Sequence, residues 1–592
     1  MCSEEFARLS RRFRAISSIR SAIAALAPIL LAACAIAPPA DRKRPATADF
    51  EWFAYGGSDR SDEAVRPGPE DYRNPIMKGF YPDPSITRVG DDYYLVNSTF
   101  SWFPGIPVFH SRDLVNWTQI GNAIDRPDQL DFGRLGMSRG VFAPAISHHA
   151  DTFYIVNTCV DCGGNFVITA TDPAGPWSDP IWLPDLEGGI DPSLFFDEDG
   201  SAWIVNNGPP VGTPLYEGHR ALWLQRFDPG ARRTVGPRTL LVNGGVDIAR
   251  KPVWIEGPHI FRKDGFYYLT AAEGGTEVNH SQVVLRSRTV TGPYVPFPGN
   301  PILTQRDLAA DRPNPITSAG HADLVETKTG EWWATFLAVR PYEGDFYNTG
   351  RETFLLPVTW ENGWPRITAP GQAIPLTHRR PNLPAMTAPP VPTSGAFSVR
   401  EEFDGAALPP NWAMMRNPRE RWYTIGDGRL SLQPRPVSLG AFGNPSLLGR
   451  RQQHLNAEAS TALRFVPRRE GDEAGLAAIQ NDEFWFFLSV SQKGGERVVK
   501  LERRAGGTDP ADGVEIAAAP LAGDPDAPVY LRIRARGAEY DFFYATREGD
   551  WRPLREGEDG RILSTRVAGG FVGTFFGVHA FSATTLPSPA RP

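Results

Sequence analysis

Long apolar runs are nearly absent from these 592 residues, as are cysteine (4) and any excess of positive charge. The strongest apolar stretch, Ala22 to Ala33, is too short for a bilayer span of roughly 20 residues, so it reads as the core of an export signal rather than as a membrane helix. Sixty-one Lys and Arg stand against 68 Asp and Glu, a net charge of −7. An acidic body without a basic stripe repels phosphate backbones, which excludes a nucleic-acid partner and leaves neutral ligands such as sugars unaffected. Charged residues are only 22% while aromatics reach 11%, which excludes a disordered chain.

Glycine (58) and proline (56) are in excess. They interrupt the chain too often for long helices, so many short strands joined by tight turns, an all-β fold, are expected. At the N-terminus Arg8, Arg11, Arg12, Arg14 and Arg20 precede the apolar run, and Leu31-Ala32-Ala33-Cys34 resembles a bacterial lipobox. Residues 1–33 are therefore expected to be a lipoprotein signal peptide, Cys34 its lipidation site and 34–73 a Pro-containing tether. This predicts an exported lipoprotein, periplasmic or on the cell surface, anchored to the outer or cell membrane. Losing residues 1–33 removes five Arg and two Glu, so the charge goes from −7 to −10. In an oxidising compartment Cys159 and Cys162 are expected to form a local disulfide.

Five segments repeat one pattern, a polar turn followed by aromatics that open an apolar run: Asp91-Asp92-Tyr93-Tyr94, Asp151-Thr152-Phe153-Tyr154, Gly200-Ser201-Ala202-Trp203, Gly265-Phe266-Tyr267-Tyr268 and Gly330-Glu331-Trp332-Trp333. Intervals of roughly 50 to 65 residues suit one four-stranded blade each, so residues 74–370 are expected to form a five-bladed β-propeller. Shortly before each aromatic group a strand begins, at Asp83-Pro84, Ala143-Pro144, Asp191-Pro192, Glu256-Gly257-Pro258 and His321-Ala322. First strands of blades line the central axis, which predicts that Asp83, Asp191, Glu256 and His321 meet at one mouth of the channel. Residues 371–395, rich in Pro, read as a linker, and the short strands of 396–592 as a β-sandwich.

Three carboxyls in an aromatic-walled channel mouth fit glycoside hydrolysis, which needs one carboxyl protonated and another ionised. Asp83 is assigned as general base, Glu256 as general acid, and Asp191 as the group that tunes and orients Glu256. That chemistry requires no cofactor. Three roles stay open for His321: a hydrogen bond to Asp191, support of a nearby divalent cation such as calcium and its water, or plain satisfied burial.

At these residues the chain resembles glycoside hydrolase family 43, which includes β-xylosidases and α-L-arabinofuranosidases. The resemblance runs through Gly79-Phe80-Tyr81-Pro82-Asp83-Pro84, Ser98-Thr99-Phe100-Ser101-Trp102, Gly189-Ile190-Asp191-Pro192, Glu256-Gly257-Pro258-His259, Glu273-Gly274-Gly275-Thr276, Gly320-His321-Ala322 and Gly350-Arg351-Glu352. It implies a concanavalin-like sandwich whose Gly569-Gly570-Phe571 loop helps to close the pocket. Substrate contacts are implied for Phe100, Trp102, Phe142, Thr276, His321, Arg351 and Phe571, with Arg351 reaching sugar hydroxyls near Asp191. Phe142 stands where many relatives carry Trp, and one more aromatic strand is expected beyond Pro592, so the expectation is either a sandwich that lacks an edge or a truncated sequence.

Gly136-Met137-Ser138-Arg139-Gly140 matches a nucleophile elbow, yet a strand start follows it instead of the helix an elbow requires. Ser111-Arg112-Asp113-Leu114 looks like part of a kinase loop but reads as a blade turn. The preferred activity is an exo-acting, inverting β-1,4-xylosidase on xylo-oligosaccharides. The alternatives are an α-L-arabinofuranosidase on arabinoxylan or arabinan side chains, a non-catalytic carbohydrate-binding lipoprotein, and a protein-interaction propeller, which would not need acids at its axis. Oligomeric state is left open.

Overall fold

A computed structural model describes residues 47–583; the expected signal peptide and Cys34 lie outside the described residues. Five antiparallel blades follow one another, each with four main strands; Gly140–Val141 adds a fifth to blade 2 and Leu303–Thr304 a fifth to blade 4. Blade 1 is Ser85–Val89, Asp92–Val96, Gly105–Ser111 and Thr118–Ile124, and blade 2 is Ala145–His149, Thr152–Val160, Gly164–Ala170 and Ile181–Trp182. Blade 3 is Ile190–Phe196, Ala202–Gly208, Ala221–Asp228 and Arg233–Asn243. Blade 4 is Glu256–Lys263, Phe266–Glu273, Ser281–Ser287 and Val295–Pro296, and blade 5 is Thr317–Glu326, Trp332–Val339, Glu352–Glu361 and Trp364–Arg366.

Each repeated aromatic group opens the second strand of its blade. Tyr93, Phe153, Tyr268 and Trp333 are buried there between neighbouring sheets. The inner strands are tied to one another around the ring. Asp323 of blade 5 accepts from Ser85 Oγ (2.8 Å) and Ile86 N (2.9 Å) of blade 1, and Ser85 Oγ accepts in turn from Ile146 N of blade 2. Side-chain hydrogen bonds thus close the ring between its first and last blades. The chain marks a turn at Asp113, whose Oδ1 accepts from Val115 N and Asn116 N; this is the role of the kinase-like tetrapeptide.

The C-terminal region is a sandwich of two sheets. In the first, Tyr423–Gly426, Arg429–Leu432, Ala48–Ser58, Asn456–Arg464, Val529–Arg536, Glu539–Ala545 and Arg552–Asp559 lie side by side, with Phe397–Glu401 also paired to Ala48–Ser58. In the second the order is Ser446–Arg451, Phe575–Ser582, Asp472–Asn481, Phe484–Lys493, Glu496–Ala505 and Val514–Pro520. The expected 34–73 tether is therefore corrected over 48–58, which form an interior strand of the sandwich. Phe50, Phe53 and Tyr55 alternate inward into its core and make that pairing favourable.

The 371–395 segment is likewise more than a linker. Thr377–Arg379 pairs with Asp71–Arg73, Ile374 is buried against blade 5, and Met386 N donates to Asp113 Oδ2, so the segment is a strap across the propeller. Lys78, fully buried, bonds Asp59 (2.8 Å) and Asp62 (2.6 Å), while Arg340 pairs with Asp59 and Glu352. Asp59 also accepts from Leu455 N of the sandwich. This cluster joins N-terminal segment, propeller and sandwich, and removing one partner from such a buried network costs about 3–5 kcal/mol. The outer face of the second sheet, with Ile479, Trp485, Phe487 and Phe575, packs on Phe80, Phe100 and Trp102 of the propeller.

Candidate active site

The inner strands do not begin as regular strands. Asp83, Asp191 and His321 have φ of 50°, 52° and 52°, and Gly257, directly after Glu256, has φ 56°. Pairing registers slip between Ile190 and Ser193, between Glu256 and His259, and on either side of Gly320. Left-handed backbone is uncommon for residues with a side chain and bulges re-aim what they carry, so the strain is localised where the chemistry-bearing side chains turn to the axis. Gly257 has a second reason: a β-carbon there would stand 2.7 Å from His321 Nε2.

One pocket is lined by Asp83, Phe100, Phe142, Ile190, Asp191, Glu256, Thr276, His280, His321, Arg351 and Phe571. The four predicted axial residues thus meet, and all are less than a tenth exposed. Arg351 grips Asp83 with two nitrogens, at 2.9 and 3.4 Å, and Ser98 Oγ donates to Asp83 Oδ2. Burial alone would raise the Asp83 pKa; the Arg351 guanidinium, helped by His321 and Ser98, outweighs it and holds the carboxyl below its ordinary range. Glu256 goes the other way. Burial first, then the negative charges of Asp191 and Asp83, push it up to about 8.

Asp191 accepts from Gly257 N at 3.1 Å and lies 3.6 Å from His321 Nε2, so it is fixed beside the backbone that carries Glu256. Burial works against the charge on His321, but the facing Asp191 carboxylate, with those of Asp83 and Glu256, raises it to about 9. A protonated imidazole offers no lone pair to a cation, and among the described residues no three His, Cys, Asp or Glu side chains form a ligand set.

Phe100 meets Phe142 edge-on with centroids 5.1 Å apart and stacks on Phe571 at 5.6 Å, making an apolar cage under Arg351. Phe571 comes from the sandwich, and its N–H donates to Ser138 Oγ at 2.8 Å. The serine of the elbow-like motif is thus an anchor for the pocket-closing loop. One expectation is corrected. Trp102 does not line the pocket: it is fully buried behind it, stacked on Phe575 at 3.7 Å, because the packing of the sandwich against the propeller claims its ring. Arg351 lines the same pocket as Asp191 and is bound to Asp83. His280 was not foreseen; a single histidine in a loop before a strand carried no pattern to mark it. Cys159 and Cys162 are joined as expected.

Comparison with known proteins places this geometry. Residues 72–365 match the family described as glycosyl hydrolases family 43, and residues 400–591 the beta xylosidase C-terminal concanavalin A-like domain. The chain is 38% identical to a xylosidase/arabinosidase of Butyrivibrio fibrisolvens over 86% of its length and 95% of that protein's. It is 36% identical to the non-reducing end alpha-L-arabinofuranosidase of Bacteroides ovatus, over 86% and 91%. The crystal structure of a GH43_12 retrieved from a capybara gut metagenome superimposes with TM-score 0.83 at 39% identity, covering 91% of this chain and all of that one.

Proposed function

The chain belongs to glycosyl hydrolase family 43, and from that premise we propose that it is an exo-acting glycosidase that releases terminal xylose from xylo-oligosaccharides with inversion. The observation that carries this reading is the opposed state of two carboxyls in one pocket: Asp83 held ionised by Arg351 and Glu256 held protonated by burial and Asp191. Asp83 takes a proton from a water whose oxygen forms a bond to the anomeric carbon. As the glycosidic bond breaks, Glu256 gives its proton to the departing oxygen, and the two carboxyls then exchange protons with solvent. Asp191 holds Glu256 in its protonated state and in place. The Phe571 lid supports removal of one end sugar rather than cleavage within a chain.

Xylose is preferred because the sandwich matches a domain described for β-xylosidases. Arabinofuranose is the second reading, favoured by the relatives whose names carry that sugar. Hydrolysis of nitrophenyl β-xyloside and α-arabinofuranoside by wild type, Asp83→Asn and Glu256→Gln tests the assignment. Activity that survives both substitutions would overturn it, and a first product of retained anomeric form would overturn Asp83 as base. The reading extends to an exported lipoprotein held at a membrane by Cys34, supported by the lipobox-like residues and the Cys159–Cys162 pair. Fractionation of cells carrying wild type and Cys34→Ser checks it: release of the variant alone from membranes is expected.

A further inference from the structure

Two polar atoms in the pocket wall are buried without a partner, and they are complementary. Arg351 Nε carries a hydrogen and can only donate; His280 Nε2 has no hydrogen-bond partner and is 1% exposed as a residue. The tautomer of His280 is fixed by its other nitrogen. Nδ1 lies 3.0 Å from the carbonyl oxygen of Ser318, which can only accept, so Nδ1 bears the proton and Nε2 a bare lone pair. Burial, with the positive charges of His321 and Arg351 nearby, pushes the His280 pKa down to about 3, so the ring stays neutral wherever the enzyme works. Gly320 leaves the approach to Nε2 open, since a β-carbon there would stand 2.7 Å from it.

We propose that His280 is a sugar-binding residue: its Nε2 accepts a hydrogen bond from one hydroxyl of the terminal pentose while Arg351 Nε donates to an oxygen of the same sugar. This rests on the glycosidase reading of the pocket and deepens it. Every O–H of a pentose can donate, whereas the acids, the two Nη groups of Arg351 and the protonated His321 are already committed to one another or to the reacting bond. An acceptor that cannot be protonated and has no protein donor is suited to a hydroxyl, and a site built to bond a hydroxyl rejects the analogue that lacks it far more strongly than a loose apolar pocket does.

The test is a substitution cycle between protein and sugar. For whichever nitrophenyl pentoside the wild type hydrolyses faster, kcat/KM is measured for the parent and for each monodeoxy analogue, in wild type, His280→Phe and His280→Leu. The wild type is expected to lose about 10²-fold on one of the deoxy analogues, and the variants to show less than about threefold difference between that analogue and the parent. A wild-type ratio retained by a folded variant at every hydroxyl overturns the proposal. If neither variant folds, the ¹⁵N resonance of His280 Nε2 in the wild-type protein decides: an upfield move on adding xylose or arabinose supports the bond, and an unmoved resonance at saturation refutes it. A wild type that hydrolyses neither pentoside would remove the reading of the pocket itself, and this inference with it.

Discussion

Replacing Asp191 with Asn tests the electrostatics of the site most directly. The rise of Glu256 from 4.5 to about 8 corresponds to about 5 kcal/mol held against its ionised form. Burial supplies the largest part and Asp191 the next, with Asp83 adding less. A like charge at about 4 Å and an effective dielectric near 20 would contribute about 4 kcal/mol, which bounds Asp191 from above; with burial taking the larger part, about 1–2 kcal/mol remains. Because Glu256 acts while protonated, activity is lost as pH rises through its pKa. The wild-type alkaline limb is expected near pH 8, and Asp191→Asn should bring it down by about one pH unit. His321 opposes this in part, since without Asp191 it gives up its proton more readily, and losing that positive charge would push Glu256 back up. The assay is kcat/KM against pH on xylobiose, whose poor leaving group needs the proton. A wild-type limb near pH 5 would refute the protonated Glu256, and a variant limb still at 8 would refute Asp191 as its modulator.

On the acid side the sign reverses. Asp83 acts ionised and is held down chiefly by Arg351, so Arg351→Met leaves burial opposed only by His321, Ser98 and His280 and should raise the acid limb by one pH unit or more, besides weakening substrate binding; an unshifted limb would deny the pairing its role. Ser138→Ala removes the acceptor of Phe571 N–H. The loss of about 1 kcal/mol of loop anchoring predicts a KM roughly fivefold higher with kcat little changed, checked by steady-state kinetics. Asp323→Ala leaves the buried donors Ser85 Oγ and Ile86 N unpaired at the seam between blades 1 and 5. Denaturant titration should show about 2–4 kcal/mol less stability.

Much of the architecture was legible because it repeats. Five polar-turn-plus-aromatic openings at similar spacing marked the second strands, and an acid or histidine upstream of four of them marked the axis. The N-terminal strand Ala48–Ser58 was not legible: a solitary stretch carries no repeat, and its partners, among them Asn456–Arg464, lie about 400 residues on. The 371–395 strap escaped for a similar reason: its Pro-rich composition describes a flexible segment equally well, and what fixes it to the propeller, the pairing of Thr377–Arg379 with Asp71–Arg73, the burial of Ile374 and the Met386–Asp113 bond, is long-range. In the pocket, residue types announced the three carboxyls, but Ser98 and His280 gained their meaning from what they face.

By itself the sequence determined the class of fold, the number of blades and which carboxyls meet at the axis, because strand alternation, turn residues and repeat length are local properties that survive in one dimension. Tertiary structure alone decided which acid is ionised. Asp83 and Glu256 are both carboxyls at the start of an inner strand. They differ because the fold brings Arg351 onto one and sets Asp191 beside the other, and in a buried site the sign of the nearest charge governs the proton.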